Sequence, residues 1–330
     1  MATIEEVAKK AKVSTATVSR VINNNGPISE KTRGKVMKVI EQLEYSPNIL
    51  ARNFRTRKTN TIITVLHDIC NPVLAEMIKG MEDVAYSNDY CLLIGNSGSN
   101  PERAMDYIKA LREKRADGVI FVTPRIDEAI IIEINKIVPV VLVSDYIEDS
   151  HIPSVRVDDY RASYQITEHL INNSHKKIAY IAGPQNIKIA VDRLKGFKAA
   201  LKDQNMNYDS SLVIMDNSSL EDGYRSMGEI LSRTEVPVSV VVYNDETAIG
   251  ALEFAKEKGC KIPEEVSIAG FDNIGIASLV KPRLTTVDQP KYEIGATSMK
   301  IMLGMLQGMD PQCEENILDY QLIIRESSEF

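Results

Sequence analysis

Five polar side chains along the larger part of the chain have the chemistry to hold a small hydroxylated molecule. Each follows a predicted strand or lies early in the helix after one: Asn71, Asp145, Arg193, Asn244 and Asp272. Carboxylates accept hydrogen bonds and a forked guanidinium donates two in parallel, which suits the vicinal hydroxyls of a sugar or nucleoside. A single Asp or Asn in such a place more often caps a helix or forms a turn. The prediction of a binding site therefore depends on all five side chains converging.

A second group of side chains, near the start of the chain, is suited to nucleic acid. Thr15, Ala16, Thr17, Ser19 and Arg20 occupy the polar side of one predicted helix. An arginine can donate to O6 and N7 of guanine, and hydroxyls can bind phosphate oxygens. An ordinary amphipathic helix shows the same pattern, so this spacing alone does not establish DNA binding.

Three short helices are predicted to position the second group. Thr3 and Glu6 form a capping box for the first helix, and Ser14 is placed to cap the second. Only the turn at 12–13 separates these two helices, which is typical of a helix-turn-helix unit. The third helix is predicted to start near Ser29 and to end at Ser46-Pro47.

Alternating strands and helices are predicted to position the first group. Apolar runs predict strands at 61–66, 90–95, 118–122, 138–143, 177–183, 238–243 and 266–272. Helical patterns lie near 72–88, 101–114, 160–173, 189–203, 221–232, 246–258 and 291–306. Such alternation favours an α/β fold with parallel sheets covered on both faces, and two successive sets indicate two lobes with a cleft between them. Ligands of such sheets bind at the carboxyl ends of the strands.

The predicted organisation is therefore an all-α head followed by a two-lobed α/β domain. The head spans 1–46, a hinge and linker spans 47–60, and the larger domain spans 61–330. Within that domain the N-lobe is expected at 61–158 and 289–320, and the C-lobe at 159–288 and 321–330.

Charge is divided unequally along the chain. Residues 1–58 carry 12 Lys or Arg and 5 Asp or Glu, a net charge of +7, whereas the whole chain has a net charge of −7. A basic head on an acidic body indicates that the head meets a polyanion. The four cysteines form no CxxC pair, and no apolar run is long enough to span a bilayer. Without a secretory signal, a cytoplasmic protein with free thiols and no membrane partner is expected.

Several segments resemble the LacI/GalR family of bacterial repressors. In the head these are ATIEEVAKKAKVSTATVSRVINN, ISEKTRGKV and YSPNILARNF; in the larger domain they are NDETAIGAL, GFDN, RLKGF and KPRLTTVDQPKYEIG. The resemblance covers the whole chain and implies a periplasmic-binding-protein-like effector domain. It also implies a recognition helix at Ser14 to Ile22, with Thr15 and Ala16 reading bases. The DNA-contacting positions implied in all are Thr3, Ser14, Thr15, Ala16, Thr17, Ser19, Arg20, Asn23, Asn48, Ala51, Arg52 and Phe54.

The hinge, PNILARNFRTRK at 47–58, resembles a segment that folds on DNA as a pair of helices in the minor groove. An apolar residue there wedges into the central base step of the operator. The wedge is usually leucine in this family, and the matching residue here is Phe54. An aromatic ring can also wedge, so the mechanism is kept, but the preferred base step is left open. A basic, disordered linker is the alternative interpretation of this segment.

In the effector domain the resemblance implies that Asp145, Arg193, Asn244 and Asp272 face the ligand, while Asp245 serves the fold. The chain departs from the family at Ser218, where many relatives stack an aromatic ring on the ligand. It departs again at 73–74, where the purine-responsive branch has aromatic residues. An aromatic ring that stacks on the ligand would then have to come from one of three tyrosines: Tyr146, Tyr160 or Tyr243.

The predicted function is a transcriptional regulator of carbohydrate or nucleoside metabolism genes, most simply a repressor. As a homodimer it would bind double-stranded operator DNA, under the control of a sugar, sugar phosphate or nucleoside. The last residues show no leucine heptad, which favours a dimer over a tetramer. No catalytic residue, metal site or cofactor is expected. One alternative is control by a phosphocarrier protein, although that branch lacks the arginine found here at 193 and has basic residues at positions 46 and 300. An enzyme, a free solute-binding protein and an activator are the others.

Overall fold

The computed structural model describes residues 2–22, 25–45, 58–172, 175–216, 218–311 and 315–329. The chain forms two compact units, Met1–Thr59 and Asn60–Phe330. These correspond to the head and the effector domain.

The head contains three helices around one small core. They are α1 (Ile4–Ala11), α2 (Thr15–Ile22) and α3 (Glu30–Gln42). The capping box is confirmed, because Glu6 N donates to Thr3 Oγ1 at 3.3 Å and Thr3 N donates to Glu6 Oε2 at 2.9 Å. The apolar faces of the helices meet in a core of Val7, Ala8, Ala11, Val18, Val21, Val36 and Val39.

Left-handed residues make the two turns of the head tight. Lys12 has φ 51° and follows α1, while Val13 N donates back to Ala8 O at 3.0 Å. Glu44 has φ 45° and follows α3, while Tyr45 N donates to Ile40 O at 3.0 Å. Both are the closing hydrogen bonds of a Schellman motif. The predicted end of the third helix at Ser46-Pro47 is therefore wrong: this turn ends the helix at Gln42, before the proline, and residues 46–57 lie outside the described part.

The effector domain has the predicted α/β architecture. Its strands are β1 (Thr61–Leu66), β2 (Cys91–Asn96), β3 (Gly118–Val122), β4 (Val140–Val143), β5 (Ser154–Val157), β6 (Ile178–Ala182), β7 (Val213–Met215), β8 (Val238–Val242), β9 (Val266–Ala269), β10 (Thr286–Asp288), β11 (Glu315–Leu318) and β12 (Gln321–Ile323). Its helices are α4 (Pro72–Tyr86), α5 (Pro101–Arg112), α6 (Glu128–Asn135), α7 (Asp159–Asn172), α8 (Lys188–Asp203), α9 (Leu220–Arg233), α10 (Asp245–Glu257) and α11 (Lys291–Leu306). Single 3₁₀ turns span Ser210–Leu212 and Gly275–Ser278.

Two parallel sheets organise these elements. The first has the order β11-β5-β4-β3-β1-β2 and the second has the order β7-β6-β8-β9, while β10 pairs antiparallel with β12. Helices α4, α5, α6 and α11 pack on the first sheet, and helices α7 to α10 pack on the second. We call these two layered bodies the N-lobe and the C-lobe. The chain crosses between them after β5, before α11 and between β11 and β12. The late strand β11 therefore completes the first sheet, and the late strand β12 pairs with β10.

Paired helices of the effector domain approach each other through glycines. An added Cβ at Gly80 of α4 would lie 2.1 Å from Tyr292 O of α11, and one at Gly295 of α11 would lie 1.9 Å from Met77 O of α4. The same reciprocal arrangement joins α9 and α10 at Gly223 and Gly250. No side chain larger than hydrogen fits at these positions unless the helices separate, so these glycines set the helix spacing in both lobes.

We expect Gly80→Ala to lower the free energy of unfolding of the effector domain by about 1–3 kcal/mol, because the new methyl group overpacks the α4–α11 contact. Gly275→Ala is the matched control, since nothing lies within 4 Å of its added Cβ. Urea unfolding followed by circular dichroism measures both. Equal urea midpoints for the two variants would contradict this expectation, because they would show that the helices separate without a loss of stability.

Candidate ligand cavity and DNA-reading helix

The second helix of the head presents the predicted polar face to solvent. Its apolar side is buried through Val18 and Val21, while Thr15, Ala16 and Arg20 are exposed. Residues 16 and 20 are four apart and share one face of the helix. The exposed guanidinium therefore lies beside a small side chain that leaves room for a base edge. We call α2 the candidate DNA-reading helix.

The hydroxyls of this helix divide between capping and exposure. Ser14 Oγ accepts from Thr17 N at 3.1 Å and hydrogen bonds with Thr17 Oγ1 at 2.9 Å, so it caps the helix as predicted. Thr17 and Ser19 are partly exposed, and Thr3 is exposed where it caps α1. The remaining predicted DNA contacts, Asn23, Asn48, Ala51, Arg52 and Phe54, lie outside the described residues.

A cavity of about 300 Å³ opens at the carboxyl ends of strands from both sheets. Its N-lobe wall comes from the residues after β1, β3 and β4 and from the start of α4. Its C-lobe wall comes from the residues after β8 and β9, the first turns of α7 and α8, and the segment before α9. This is the place where open parallel sheets bind ligands, and the volume suits a monosaccharide or nucleoside.

Four of the five predicted ligand-binding residues line this cavity: Asn71, Arg193, Asn244 and Asp272. Asp145 is not among the lining residues, although Ser144 before it is. Ser144 takes a left-handed conformation with φ 51°, and the Asp145 carboxylate accepts from Tyr146 N at 2.8 Å. Burial raises the pKa of Asp145 to about 6. The carboxylate is therefore used by its own loop, next to the cavity.

Arg193 forms the centre of the C-lobe wall. Its side chain is 3% exposed, its Nε donates to Asp159 Oδ1 at 2.8 Å, and its Nη1 donates to Tyr243 O at 2.7 Å. Nη2 lies 3.6 Å from Asp272 Oδ1, and the guanidinium stacks on the Phe271 ring at 3.4 Å. A planar cation held from several sides is pre-organised to present its remaining N–H to a ligand.

Asp272 is held in place for the same purpose. It takes φ 110°, which is strained for a side chain-bearing residue, and Gln289 Nε2 donates to its Oδ1 at 2.6 Å. The buried Lys291 donates to its backbone carbonyl at 2.7 Å, which fixes the loop. Burial raises the pKa of Asp272 to about 6, although the positive charge of Arg193 opposes the shift. At neutral pH this carboxylate is mostly ionised and accepts hydrogen bonds.

The two asparagines start helices at the cavity. Asn71 Oδ1 accepts from Val73 N at 2.9 Å, and Asn244 Oδ1 accepts from Thr247 N at 2.9 Å. Each amide oxygen therefore caps a helix, α4 in one lobe and α10 in the other. The amide nitrogens are left as donors toward a ligand. Capping and ligand binding are thus compatible uses of the same residue.

Among the three tyrosines considered from the sequence, Tyr243 lines the cavity and the other two do not. Its ring lies 4.9 Å below the Arg193 guanidinium, and burial raises its pKa to about 12. Tyr146 instead donates from its hydroxyl to Asp192 Oδ2 at 3.0 Å, and Tyr160 is exposed. Asp245 serves the fold: it is fully buried and accepts from Thr286 Oγ1 at 2.6 Å.

Sequence reasoning missed several residues of the cavity wall: His67, Arg125, Asp159 and Gln289. His67 and Arg125 come within three residues of the ends of β1 and β3, and the same strand-end rule that selected Asn71 would have selected them. Burial, reinforced by the charge of Arg125, lowers the pKa of His67 to about 4, so its imidazole is neutral at pH 7. His67 Nδ1, Arg125 Nε and Ser218 Oγ are buried without a hydrogen-bond partner in the described structure.

The described residues contain no group of three or more His, Cys, Asp or Glu side chains that could hold a metal ion. No helix in the described ranges is long and apolar enough to cross a membrane.

Comparison with known proteins identifies the same two parts of the chain. Residues 3–48 match the family model of bacterial regulatory proteins of the lacI family. Residues 59–322 match the model of periplasmic binding proteins and the sugar-binding domain of the LacI family.

Individual relatives match over 91–99% of this chain. The HTH-type transcriptional repressor CytR of Escherichia coli K12 is 34% identical over 328 residues, covering 99% of this chain and 96% of that protein. Catabolite control protein A of Priestia megaterium is 35% identical over 302 residues, covering 91% of each chain. The lac repressor dimer bound to operator and the anti-inducer ONPF superposes with a TM-score of 0.89 at 25% identity, covering 99% of each chain.

Proposed function

Because the chain belongs to the LacI family of bacterial regulatory proteins, we propose that it is a sequence-specific transcriptional repressor of carbohydrate or nucleoside metabolism genes. It binds a pseudo-palindromic operator as a dimer, and a small-molecule effector in the cavity controls its affinity for DNA. The domain division that goes with this function is a head at 1–46, a hinge at 47–60 and an effector domain at 61–330.

One observation carries the proposal. The same chain holds an exposed Arg20 on a helix-turn-helix unit and a separate cavity built around a buried, charge-balanced Arg193. The first part suits base reading in a major groove. The second suits recognition of a hydroxylated ligand. The ionised Asp272 can accept a hydrogen bond from a ligand hydroxyl, and the amide nitrogens of Asn71 and Asn244 can donate one to it.

We propose that the cavity binds its ligand without chemical turnover. The buried acids Asp159 and Asp272 are engaged by Arg193, and Asp272 is also engaged by Gln289. His67 is neutral but has no carboxylate hydrogen-bonded to its ring to orient it as a base. This arrangement supports binding, because a general base needs a free, oriented proton acceptor.

The control mechanism follows from the two-walled cavity. A ligand that contacts both lobes stabilises one angle between them, and that angle sets the separation of the two hinges in a dimer. The effector shifts the equilibrium only by its differential affinity for the two states, and such coupling typically amounts to about 1–3 kcal/mol. Whether the effector releases or recruits DNA depends on which state it favours.

The dimer is supported by apolar side chains left exposed in both lobes. In the C-lobe Leu279 is 73% exposed and Ile276 is 51% exposed, next to the 3₁₀ turn after β9. In the N-lobe Leu93 is 48% exposed on β2, which is the edge strand of the first sheet. Exposed apolar surface and an uncovered edge strand typically mark an interface.

We expect Leu279→Glu to convert the dimer to a monomer, because the substitution places a charge on the apolar surface that the second copy would cover. Operator affinity should fall with it, since the two heads then no longer bind as one unit. Sedimentation velocity at micromolar concentration measures the change. Met309→Glu is the control, as Met309 is similarly exposed but lies in a groove formed by residues 135–139 and 305–311. A dimeric Leu279→Glu protein would contradict the assigned interface.

The function is tested by selecting bound fragments from the sheared source genome with the purified full-length protein at near-physiological salt. Enrichment of one or a few pseudo-palindromes is expected. The genes next to them then nominate the effector. Binding that is strongly salt-dependent but enriches no sequence would mean a nonspecific polycation and would contradict the proposal.

A further inference from the structure

Arg125 is a cation on the N-lobe wall for which the described protein supplies no partner. It follows β3 and lines the cavity, and its buried Nε has no hydrogen-bond partner. Arg125 forms no ion pair with any described residue. Along the chain, the nearest basic residues that do form an ion pair are Arg115 and Lys136. Because no described side chain pairs with this guanidinium, it is available to an acceptor group of a molecule in the cavity.

His67 stands beside Arg125 in the same wall. Its Nδ1 is also buried without a partner, and the ring senses the charge of Arg125, which helps to lower the pKa of His67 to about 4. A neutral imidazole can donate one N–H. The two side chains therefore offer a charged donor and a neutral donor to the same space.

On the opposite wall of the cavity, in the C-lobe, the cation is already paired with carboxylates. There Arg193 is already matched by Asp159 at 2.8 Å and by Asp272 at 3.6 Å. Arg125 lines the same cavity as these C-lobe residues. The cavity thus has an acceptor-rich C-lobe side for hydroxyls and a donor side on the N-lobe for negative charge.

We propose that the effector carries an anionic group, a phosphate ester or a carboxylate, which binds Arg125 and His67 while the hydroxyls of the same molecule bind Asp272 and Asn244. This inference rests on the proposed function and selects, among the sugars and nucleosides considered above, those with an acidic substituent. The pairing of a guanidinium with a phosphate or carboxylate is bidentate and geometrically specific.

Two acids of the cavity wall do not oppose this assignment. Asp68 and Glu246 also line the cavity, but both are exposed at its rim. Exposed charges are screened by water and salt, whereas the unpaired Nε of Arg125 is buried. Local pairing inside the cavity therefore outweighs the rim charges. A volume of about 300 Å³ accommodates a pentose or hexose with one such group.

The test measures the unfolding midpoint of the full-length protein with defined probes. The probes are inorganic phosphate against chloride at equal ionic strength, ribose against ribose 5-phosphate, and glucose against glucose 6-phosphate and glucuronate. The proteins are wild type, Arg125→Gln, Arg125→Lys and the control Arg283→Gln, which changes an exposed arginine paired with Glu326. The control accounts for the loss of one positive charge at the surface of the effector domain.

We expect an acidic sugar to raise the midpoint of the wild type and of Arg283→Gln, and its neutral counterpart to do so far less. In Arg125→Gln the affinity for the acidic probe should fall by about tenfold or more, since a charge-assisted hydrogen bond is lost. Arg125→Lys should retain part of the affinity because it keeps the charge without the fork.

Four results would overturn the inference. Three concern the rise in unfolding midpoint: no rise in the wild type with any acidic probe, the same rise in Arg125→Gln, or equal rises with neutral and acidic sugars. Inorganic phosphate acting as strongly as the sugar phosphates would show a site for free phosphate and would also overturn it. None of these readings involves DNA. If the protein enriches an operator but its binding of acidic probes does not depend on Arg125, the proposed function stands and only this inference is lost.

Discussion

Arg193→Ala is expected to lower the free energy of unfolding of the effector domain by about 3–5 kcal/mol at pH 7 and to abolish the effector response. The loss arises because two buried carboxylates, Asp159 and Asp272, are left without the cation that compensates them. The head does not contain this residue, so operator binding at temperatures below unfolding should remain. Urea unfolding and operator titration with and without effector measure the two effects.

The loss of unfolding free energy in Arg193→Ala should depend on pH in a definite direction. Burial raises the pKa of Asp272 to about 6, above its ordinary value of 3.8, so the folded state holds this proton more firmly than the unfolded state. The stability contributed by the protonated group is therefore complete below about pH 4 and is lost as the pH rises through about 6. Without Arg193 both buried carboxyl pKa values rise further. The difference between variant and wild type should be large at pH 7 and shrink toward pH 5.

Two controls separate charge from packing. Arg193→Met keeps most of the side-chain volume and should behave like Arg193→Ala if the charge is what matters. Arg283→Ala removes an exposed arginine from its pair with Glu326 and should leave unfolding nearly unchanged. A normal effector response in Arg193→Ala, or a deficit that does not vary with pH, would refute the assigned role.

Arg20→Ala is expected to weaken operator binding by about 1–3 kcal/mol and to relax the preference at one base position of each half-site. The reason is that Arg20 is exposed on the candidate DNA-reading helix, and a guanidinium can donate two hydrogen bonds to a guanine edge. Lys38→Ala is the matched control: it removes an exposed positive charge from α3 and should change affinity little and equally for all sequences. Operator titration with each variant gives the change in affinity, and fragment selection gives the change in base preference. An unchanged base preference in Arg20→Ala would remove this residue from the base-reading set.

Long apolar patterns predicted most of the fold. Strands Thr61–Leu66 and Gly118–Val122 and helix Lys291–Leu306 were predicted at the bounds that the structure has. The missed elements are short or ambiguous. Strand Ser154–Val157 has four residues and includes Arg156, so it lacks a continuous apolar run. Helix Glu128–Asn135 has three adjacent isoleucines, which give no helical period.

The cavity could be predicted only in part, for a related reason. Residues that directly follow recognised strands, such as Asn244 and Asp272, were found because the carboxyl ends of parallel strands meet. Asp159 was missed because the strand before it, β5, was missed. Asp145 does not line the cavity, because a left-handed Ser144 directs its carboxylate to its own loop, and strand order does not reveal such a turn. Side-chain pairing, such as that of Arg193 with Asp159, depends on contacts distant in sequence and has no local pattern.

The proposed function requires that ligand occupancy of the cavity changes specific DNA binding by the same chain. The most direct test repeats the fragment selection with wild type and Arg193→Ala, each with and without a small-molecule extract of the source cells. We expect both proteins to bind the same pseudo-palindrome and only the wild type to change its enrichment when the extract is added. Selection of no common sequence, or an equal change in both proteins, would contradict the claim.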